Sequence, residues 1–236
     1  MAKKLVSVTL TFILIACSTI SIYATETTST EVNSKTDSST EQITEENSAE
    51  QDAEEAAKKA EEEKKAEAKK AAEAKKKAEE KKAEKYKNGL AAYIRKINPN
   101  VSKTKAKTMA GYFISKGEKY NLDPKVLMAI AQNESTFYTN AKSPYGYKGL
   151  MQTSDALARK YGYKPSSLYK AQVSIEVGAR YLSTMKKKFN TYTKALSAYA
   201  YGEGAVKSGN YSKAIANKML KTRTQITTYL KKNNYI

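Results

Sequence analysis

The sequence predicts an all-α domain in its C-terminal part, residues 89–236. Apolar residues recur there at helical spacing, as at Ala106, Met109, Ala110 and Phe113. No stretch alternates between apolar and polar residues in the way that a half-buried strand does. A domain of about 150 residues also buries enough surface to fold alone. We therefore expect one helical domain, preceded by segments of different composition.

Residues 1–24 are predicted to be a signal peptide. Lys3 and Lys4 precede a short apolar run, and polar residues follow from Thr25 onward. The segment Leu14-Ile15-Ala16-Cys17 also resembles the lipobox of bacterial lipoproteins, in which the cysteine is acylated. Apolar residues continue after Cys17, which favours free secretion or a cell-wall location. The alternative is a lipoprotein held to the membrane through an acylated Cys17.

Two segments are expected between the signal peptide and the domain. Residues 25–51 are rich in Ser, Thr and Glu and have few apolar residues to bury, which predicts a disordered linker. Residues 52–87 are almost entirely Ala, Glu and Lys, which predicts a solitary charged helix. Glu precedes Lys by four residues at Glu54 and Lys58, Glu55 and Lys59, Glu61 and Lys65, and Glu73 and Lys77. Such pairs support a helix, whereas a coiled coil would have no apolar seam to bury.

The charge of the chain narrows the classes of partner. The net charge is +18, and residues 89–236 hold 26 Lys or Arg against six acids. A basic domain can bind nucleic acid, anionic lipid or an acidic polymer. The basic residues are dispersed and no nucleic-acid motif accompanies them, so cell-wall polyanions are the expected partners and nucleic acid is not. The chain has no His, the commonest metal ligand, and its single Cys excludes an intramolecular disulfide and a Cys-cluster metal site.

One predicted helix places a carboxyl group on an apolar face. Asp123 and Pro124 form a helix start, because Asp caps the first turn and Pro suits its first position. Glu134 follows Leu127 by seven residues and Ile130 by four, so it shares their face. An apolar environment would raise the pKa of this carboxyl. The alternative is that Glu134 simply extends to water at the end of the helix.

Ordered motifs surround this glutamate. Glu134-Ser135 is followed by Ser143, nine residues after the glutamate, and then by Gly149-Leu150-Met151-Gln152. Two further blocks are Gly178-Ala179-Arg180-Tyr181-Leu182 and Ala195-Leu196-Ser197-Ala198-Tyr199. Together, over about residues 110–207, they closely resemble the soluble lytic transglycosylase family, also called the transglycosylase SLT domain.

The resemblance implies a lysozyme-like helical fold and an enzyme that cleaves peptidoglycan glycan strands. It implies that Glu134 is the only catalytic acid and base, and that the products carry 1,6-anhydromuramoyl ends. It implies no metal and no cofactor. The substrate-binding residues that it implies are Ser135, Ser143, Met151, Gln152 and Tyr199.

Some positions depart from the family pattern, and two other functions stay open. Ala200 stands where the family has Asn, and Ser154-Asp155 where Met-Pro is common. These departures leave the details of the substrate groove open. A hydrolytic muramidase would need a second carboxylate, for which Glu176 and Glu203 are candidates. A peptidoglycan-binding module without catalysis is the other alternative.

Overall fold

The computed structural model describes residues 42–236, with side chains from Lys58 onward. The predicted signal peptide, Cys17 and the first part of the predicted linker lie outside the described residues. The chain divides into two units, Met1–Ala60 and Glu61–Ile236. Of the first unit, only the backbone of a helix that starts at Gln42 is described, together with the last side chains. Between residues 42 and 236, no helix has the length and hydropathy needed to cross a membrane.

Helices make up most of the described chain, and the strand-like contacts in residues 42–236 are two isolated bridges. The all-α prediction is therefore confirmed. A short 3₁₀ helix, Pro165–Tyr169, lies between α4 and α5. The α-helices are α1 (Gln42–Ile97), α2 (Lys103–Tyr120), α3 (Pro124–Ser135), α4 (Asp155–Lys160), α5 (Ala171–Phe189), α6 (Tyr192–Tyr201), α7 (Glu203–Lys207) and α8 (Ala214–Lys232).

Helix α1 is longer at both ends than the predicted charged helix. It starts at Gln42, inside the segment 25–51 that was predicted to be a disordered linker, and it ends at Ile97 rather than at residue 87. No Pro or Gly interrupts the chain from Gln42 to the last turns, and Asn98 ends the helix because it precedes Pro99. Two of the four predicted pairs are observed, Glu61 with Lys65 at 2.7 Å and Glu73 with Lys77 at 2.9 Å.

The last turns of α1 belong to the core of the domain. Leu90 and Ile94 are fully buried, and Tyr93 is 3% exposed. The ring of Tyr93 packs edge-on against that of Tyr229 in α8, with 5.3 Å between the ring centroids. The composition changes at Gly89, but the helix continues through that point because its apolar residues keep helical spacing. The expected start of a separate domain at residue 89 therefore falls inside a continuous helix.

Helix α3 lies at the centre of the domain. Asp123 caps it as predicted, because its carboxylate accepts a hydrogen bond of 2.9 Å from the backbone N–H of Lys125. All six residues from Val126 to Ala131 are buried. Helices α2, α5 and α8 pack around it. A helix that is apolar on every side is stable only inside a core.

Helix α8 continues without a break through a buried polar residue, Thr222. It spans Ala214–Lys232. Its residues include no Gly or Pro, and the hydroxyl of Thr222 donates to the carbonyl of Lys218 in the preceding turn, at 3.1 Å. Thr222 is itself buried, so its side chain is satisfied without a break in the helix.

The role of α1 in the core gives a first testable prediction. A chain that begins at residue 98 lacks Leu90, Tyr93 and Ile94, and burial of each such side chain contributes roughly 1.5–3 kcal/mol. Their combined loss approaches the whole stability of a typical domain, about 5–15 kcal/mol. We expect this chain to be unfolded by circular dichroism, whereas a chain that begins at residue 80 should melt at the same temperature as residues 42–236. A large drop in melting temperature for the longer chain would contradict the assignment.

Candidate functional site

Glu134 lies in the last turn of α3, where the buried helix reaches the surface. Thr136 and Phe137 follow in the left-handed conformation, with φ of 51° and 59°, and end the helix. Phe137 is 1% exposed and turns the chain back into the core. The side chain of Glu134 is half-buried, and this burial raises the pKa of its carboxyl, while the positive charge of Lys218 in α8 partly opposes the shift.

Ser135 ties the end of α3 to the loop that follows. Its hydroxyl lies 3.0 Å from the carbonyl of Ala131 and 2.8 Å from the carbonyl of Leu150. A hydroxyl has one proton, so the two carbonyls share it as alternative acceptors. The side chain of Ser135 therefore holds the loop against the helix beside Glu134, and its proton is already engaged.

The loop of residues 141–153 is closed by its own backbone. Lys148 and Thr153 exchange two N–H···O bonds of 3.1 and 3.2 Å, and the N–H of Gly149 donates to Ala141 at 2.8 Å. Gly149 has a φ of 73°, and a Cβ there would overlap the carbonyl oxygen of Leu168. Only glycine fits this position, for both reasons. The loop thus presents a fixed backbone next to α3.

Gln152 braces the same loop through its side-chain amide. The amide nitrogen donates to the carbonyl of Gly149 at 2.9 Å and to that of Ala141 at 3.2 Å. Since both partners are acceptors, the amide must turn its NH₂ group toward them. The amide oxygen is then the atom left to accept a hydrogen bond from a ligand. Gln152 also has a φ of 45°, which places it at a tight turn.

Ser143 lies at the outer end of the loop and is half-buried. Its hydroxyl oxygen accepts a hydrogen bond of 3.1 Å from the backbone N–H of Tyr147. Because Ser143 is the acceptor in this bond, its hydroxyl proton can be donated to a ligand.

Met151, Gly178 and Tyr199 form one packed contact beneath the loop. The hydroxyl of Tyr199 in α6 donates to the carbonyl of Met151 at 2.8 Å. A Cβ on Gly178 in α5 would come within 2.8 Å of the Met151 side chain and 2.9 Å of the Tyr199 hydroxyl. The side chain of Met151 is 0% exposed, so it supports the loop from below and has no surface for the substrate contact that the resemblance implied.

Tyr199 links this contact to Glu134. Burial raises the pKa of Tyr199 well above its ordinary value of 10.0, and the nearby Glu134 carboxyl adds to the shift. The phenol therefore stays neutral and keeps the proton that it donates to the Met151 carbonyl. The structure thus brings together Glu134, Ser135, Met151, Gln152 and Tyr199.

A cavity of about 420 Å³ opens beside this group. Gln152 and Tyr199 line it, which places two of the predicted site residues on one concave surface. Three other tyrosines complete its aromatic walls: Tyr147, Tyr181 and Tyr201. The volume lies within the range of small-molecule sites. Rings with one polar end suit a ligand that has both apolar faces and hydroxyl groups.

Comparison with known families shows what this part of the chain is similar to. Residues 111–220 match the family model of the transglycosylase SLT domain. The match contains Glu134, the loop with Gln152, the Gly178 contact and Tyr199, so all these elements of the site lie within the matched region.

Two proteins of known name are similar to part of the chain. A transglycosylase of Enterobacteria phage PRD1 is 30% identical, over 44% of this chain and 38% of its own length. The membrane-bound lytic murein transglycosylase E of Buchnera aphidicola subsp. Baizongia pistaciae (strain Bp) is 30% identical, over 44% of this chain and 57% of its own length. The matched part of the chain therefore covers about two fifths of the length of the first relative and about three fifths of the length of the second. The 70-kDa soluble lytic transglycosylase of Escherichia coli is 23% identical, with a TM-score of 0.43 over 62% of this chain and 29% of that one.

The departures from the family pattern have local explanations in the structure. Ser154 caps α4, because its hydroxyl accepts a bond of 3.2 Å from the N–H of Leu157. Asp155 pairs with Lys148 at 2.7 Å and so fixes the outer side of the loop. Ala200 is exposed and lines the cavity next to Tyr199, so the missing amide changes the wall of the cavity and not the core.

Sequence reasoning missed two residues of the site. Ser174 is fully buried, and its hydroxyl accepts a bond of 3.0 Å from the N–H of Met151. Its polar type at a helix position between apolar neighbours is the signal that could have indicated this role. Lys218 is placed near Glu134 only by the packing of α8 against α3, and no local motif marks it.

The bond between Tyr199 and Met151 gives a second prediction. In Tyr199→Phe the Met151 carbonyl loses its side-chain donor in a half-buried place, which should cost about 1–3 kcal/mol of unfolding free energy. Urea denaturation measures the loss. Tyr201→Phe is the matched control, because Tyr201 is 41% exposed on the same helix, and it should change stability by less than about 0.5 kcal/mol. Equal losses of unfolding free energy in the two variants would show that the hydroxyl of Tyr199 stabilises the fold no more than an exposed tyrosine hydroxyl does.

The raised pKa of Glu134 gives a third prediction. The folded protein holds the proton of this carboxyl at pH values where the unfolded chain, with a pKa near 4.5, has lost it. Stability therefore falls as the pH rises above 4.5, because the unfolded state binds fewer protons than the folded state. Glu134→Gln removes this loss, so it should melt higher than the parent at pH 7, with the gain disappearing at acid pH. Glu118→Gln, on the exposed face of α2, is the control. A Glu134→Gln protein that is less stable at pH 7 would contradict the burial argument.

Proposed function

We propose that this chain is a lytic transglycosylase that cleaves the β-1,4 bond between N-acetylmuramic acid and N-acetylglucosamine in peptidoglycan, with Glu134 as acid and then base. The observation that carries the proposal is the half-buried carboxyl of Glu134, with its raised pKa, within an SLT domain. The names of the two relatives, a transglycosylase and a lytic murein transglycosylase, support the same activity.

In the first step, the protonated carboxyl of Glu134 gives its proton to the glycosidic oxygen. The bond between that oxygen and the anomeric carbon of the muramoyl residue breaks, and the N-acetylglucosamine part leaves with a free hydroxyl. Burial supports this step because it keeps a fraction of the carboxyl protonated closer to neutral pH. The resemblance to the family implies that the N-acetyl group of the substrate assists at the anomeric carbon.

In the second step, Glu134 acts as a carboxylate. It takes the proton from the 6-hydroxyl of the same muramoyl residue while that oxygen bonds to the anomeric carbon. The product is a 1,6-anhydromuramoyl end, and Glu134 is protonated again for the next cycle. One group serves twice because the second proton transfer runs in the opposite direction to the first.

Some residues around Glu134 have groups free to bind the substrate, and others hold the loop in position. The amide oxygen of Gln152 and the hydroxyl of Ser143 are the groups with hydrogen-bonding capacity left for the sugar or its N-acetyl group. Ser135 and Met151 use their side chains within the protein, so they position the loop. Tyr199 holds the Met151 carbonyl and presents its ring to the cavity.

The other carboxylates of the domain support a transglycosylase over a hydrolase. Glu176 is paired with Lys116 at 2.7 Å and Lys119 at 2.8 Å, and it accepts a hydrogen bond from Tyr120. Although burial opposes the shift, these partners lower the pKa of Glu176 to about 2. Two lysines likewise lower the pKa of Glu203 to about 2. Both candidates for a second catalytic carboxylate are thus occupied by lysines, whereas a hydrolase needs one free to activate water.

The proposal includes export of the chain, because its substrate lies outside the cytoplasm. Residues 1–24 have the composition of a signal peptide, and acylation of Cys17 is the alternative route to the envelope.

The decisive experiment compares the parent with Glu134→Gln on isolated peptidoglycan. We expect the substitution to reduce cleavage by about 10²–10⁴-fold, because that is the usual contribution of general acid–base catalysis, while pull-down with peptidoglycan stays unchanged. Mass spectrometry of the parental products should show ends lighter by one water than reducing ends. Reducing ends would make the protein a muramidase, and no cleavage by the parent would leave a binding module. Cleavage by Glu134→Gln at the parental rate would remove Glu134 from the mechanism.

A further inference from the structure

A second cavity, of about 560 Å³, lies between the end of α1 and the outer face of α8. Its floor is aromatic, with Tyr93 from α1 and Tyr229 from α8. Three lysines line it: Lys96, Lys221 and Lys232. No acidic residue lines it among the residues that the structure describes. We refer to this cavity as the basic cleft.

The lysines of the basic cleft are not balanced by their surroundings. Helix α8 has no acidic residue over its whole length. None of the three lysines lies within 4.0 Å of a carboxylate among the described side chains, in contrast to Lys116 and Lys125, which are paired. The one arginine of α8, Arg223, is already paired with Asp123 at 2.8 Å. The cleft therefore has a positive charge that no carboxylate of the described domain neutralises.

The three ammonium groups are arranged for an extended ligand. Lys221 and Lys232 are eleven residues apart on α8, which separates them by about 16 Å along the helix axis. Lys96 stands on the opposite wall, where its ammonium group lies 5.0 Å from the centre of the Tyr229 ring. A single small anion spans only one of these positions. A polymer with repeated negative charges can contact all three at once.

Two further observations narrow the chemistry of the polymer. The free cations of the cleft are ammonium groups, which bind phosphate as point charges. The site is also concave and lies between two helices, so a chain can enter it, while a flat bilayer reaches only its rim. We infer that the basic cleft binds a linear phosphate polymer of the cell envelope, at a place separate from the cavity beside Tyr199.

The test measures binding of long-chain inorganic polyphosphate to the full chain over a range of salt concentrations. The variant Lys96→Gln, Lys221→Gln, Lys232→Gln removes the three charges and keeps the length of the side chains nearly unchanged. We expect binding to weaken on the order of tenfold or more, and the salt slope to fall by about one for each lysine removed. The readout is binding, so its outcome does not depend on whether Glu134 catalyses glycan cleavage.

The matched control is Lys164→Gln, Lys187→Gln, Lys194→Gln, which removes the same net charge from exposed positions outside the cleft. It should keep most of the binding and nearly the parental salt slope. Equal losses in both triple variants would overturn the site, because binding would then follow net charge alone. Two further probes test the ligand class: equally tight binding of poly-glutamate would overturn the assignment to phosphate, and cleft-dependent binding to anionic phospholipid vesicles would assign the cleft to a membrane. If the triple variant does not fold by circular dichroism, Lys221→Gln and Lys232→Gln are measured singly, each with an expected fall of about one in the slope.

Discussion

Burial of α3 on all sides is the constraint on which the rest of the domain depends. From Val126 to Ala131 every residue of this helix is inside the core, so three other helices must surround it. Glu134 is three residues beyond Ala131, at the point where the helix reaches solvent. Its carboxyl is half-buried because the core that surrounds α3 ends there. The raised pKa of Glu134 is thus a consequence of how the domain packs, and a loosened core would also alter the chemistry of this carboxyl.

The loop beside Glu134 is held by contacts from several distant parts of the chain. Ser135 holds Leu150, Ser174 holds the N–H of Met151, and Tyr199 holds the carbonyl of Met151. Gly178 leaves just enough room for Met151 and Tyr199 to meet. The sequence blocks around these residues are therefore parts of one packed contact. Met151 is therefore informative in the sequence although its side chain touches no solvent. It packs beneath the loop, and its neighbour in the chain, Gln152, lines the cavity.

Residue patterns predicted the features that depend on local chemistry. The cap at Asp123, the apolar face of α3 and the position of Glu134 on that face all follow from spacing within a single helix. The features that depend on packing between helices were not predictable in this way. The composition change at Gly89 suggested a boundary, because charge dominates the preceding segment, yet Leu90 and Ile94 continue the same helix into the core. The side-chain burial of Met151 and the approach of Lys218 to Glu134 likewise depend on helices that are distant in the sequence.

The domain has few acids, and most of them are paired with Lys or Arg. Of the six acids in residues 89–236, four form ion pairs with Lys or Arg: Asp123, Asp155, Glu176 and Glu203. Glu118 is exposed on α2, and Glu134 has only the weak influence of Lys218. Pairing lowers the pKa of the other buried carboxyl, Glu176, to about 2, so the absence of a paired lysine is what lets burial act on Glu134 in the opposite direction. The same scarcity of acids leaves lysines on α8 without partners. The surplus of Lys and Arg over acids in residues 89–236 leaves this positive charge exposed, and such charge favours binding to an anionic polymer.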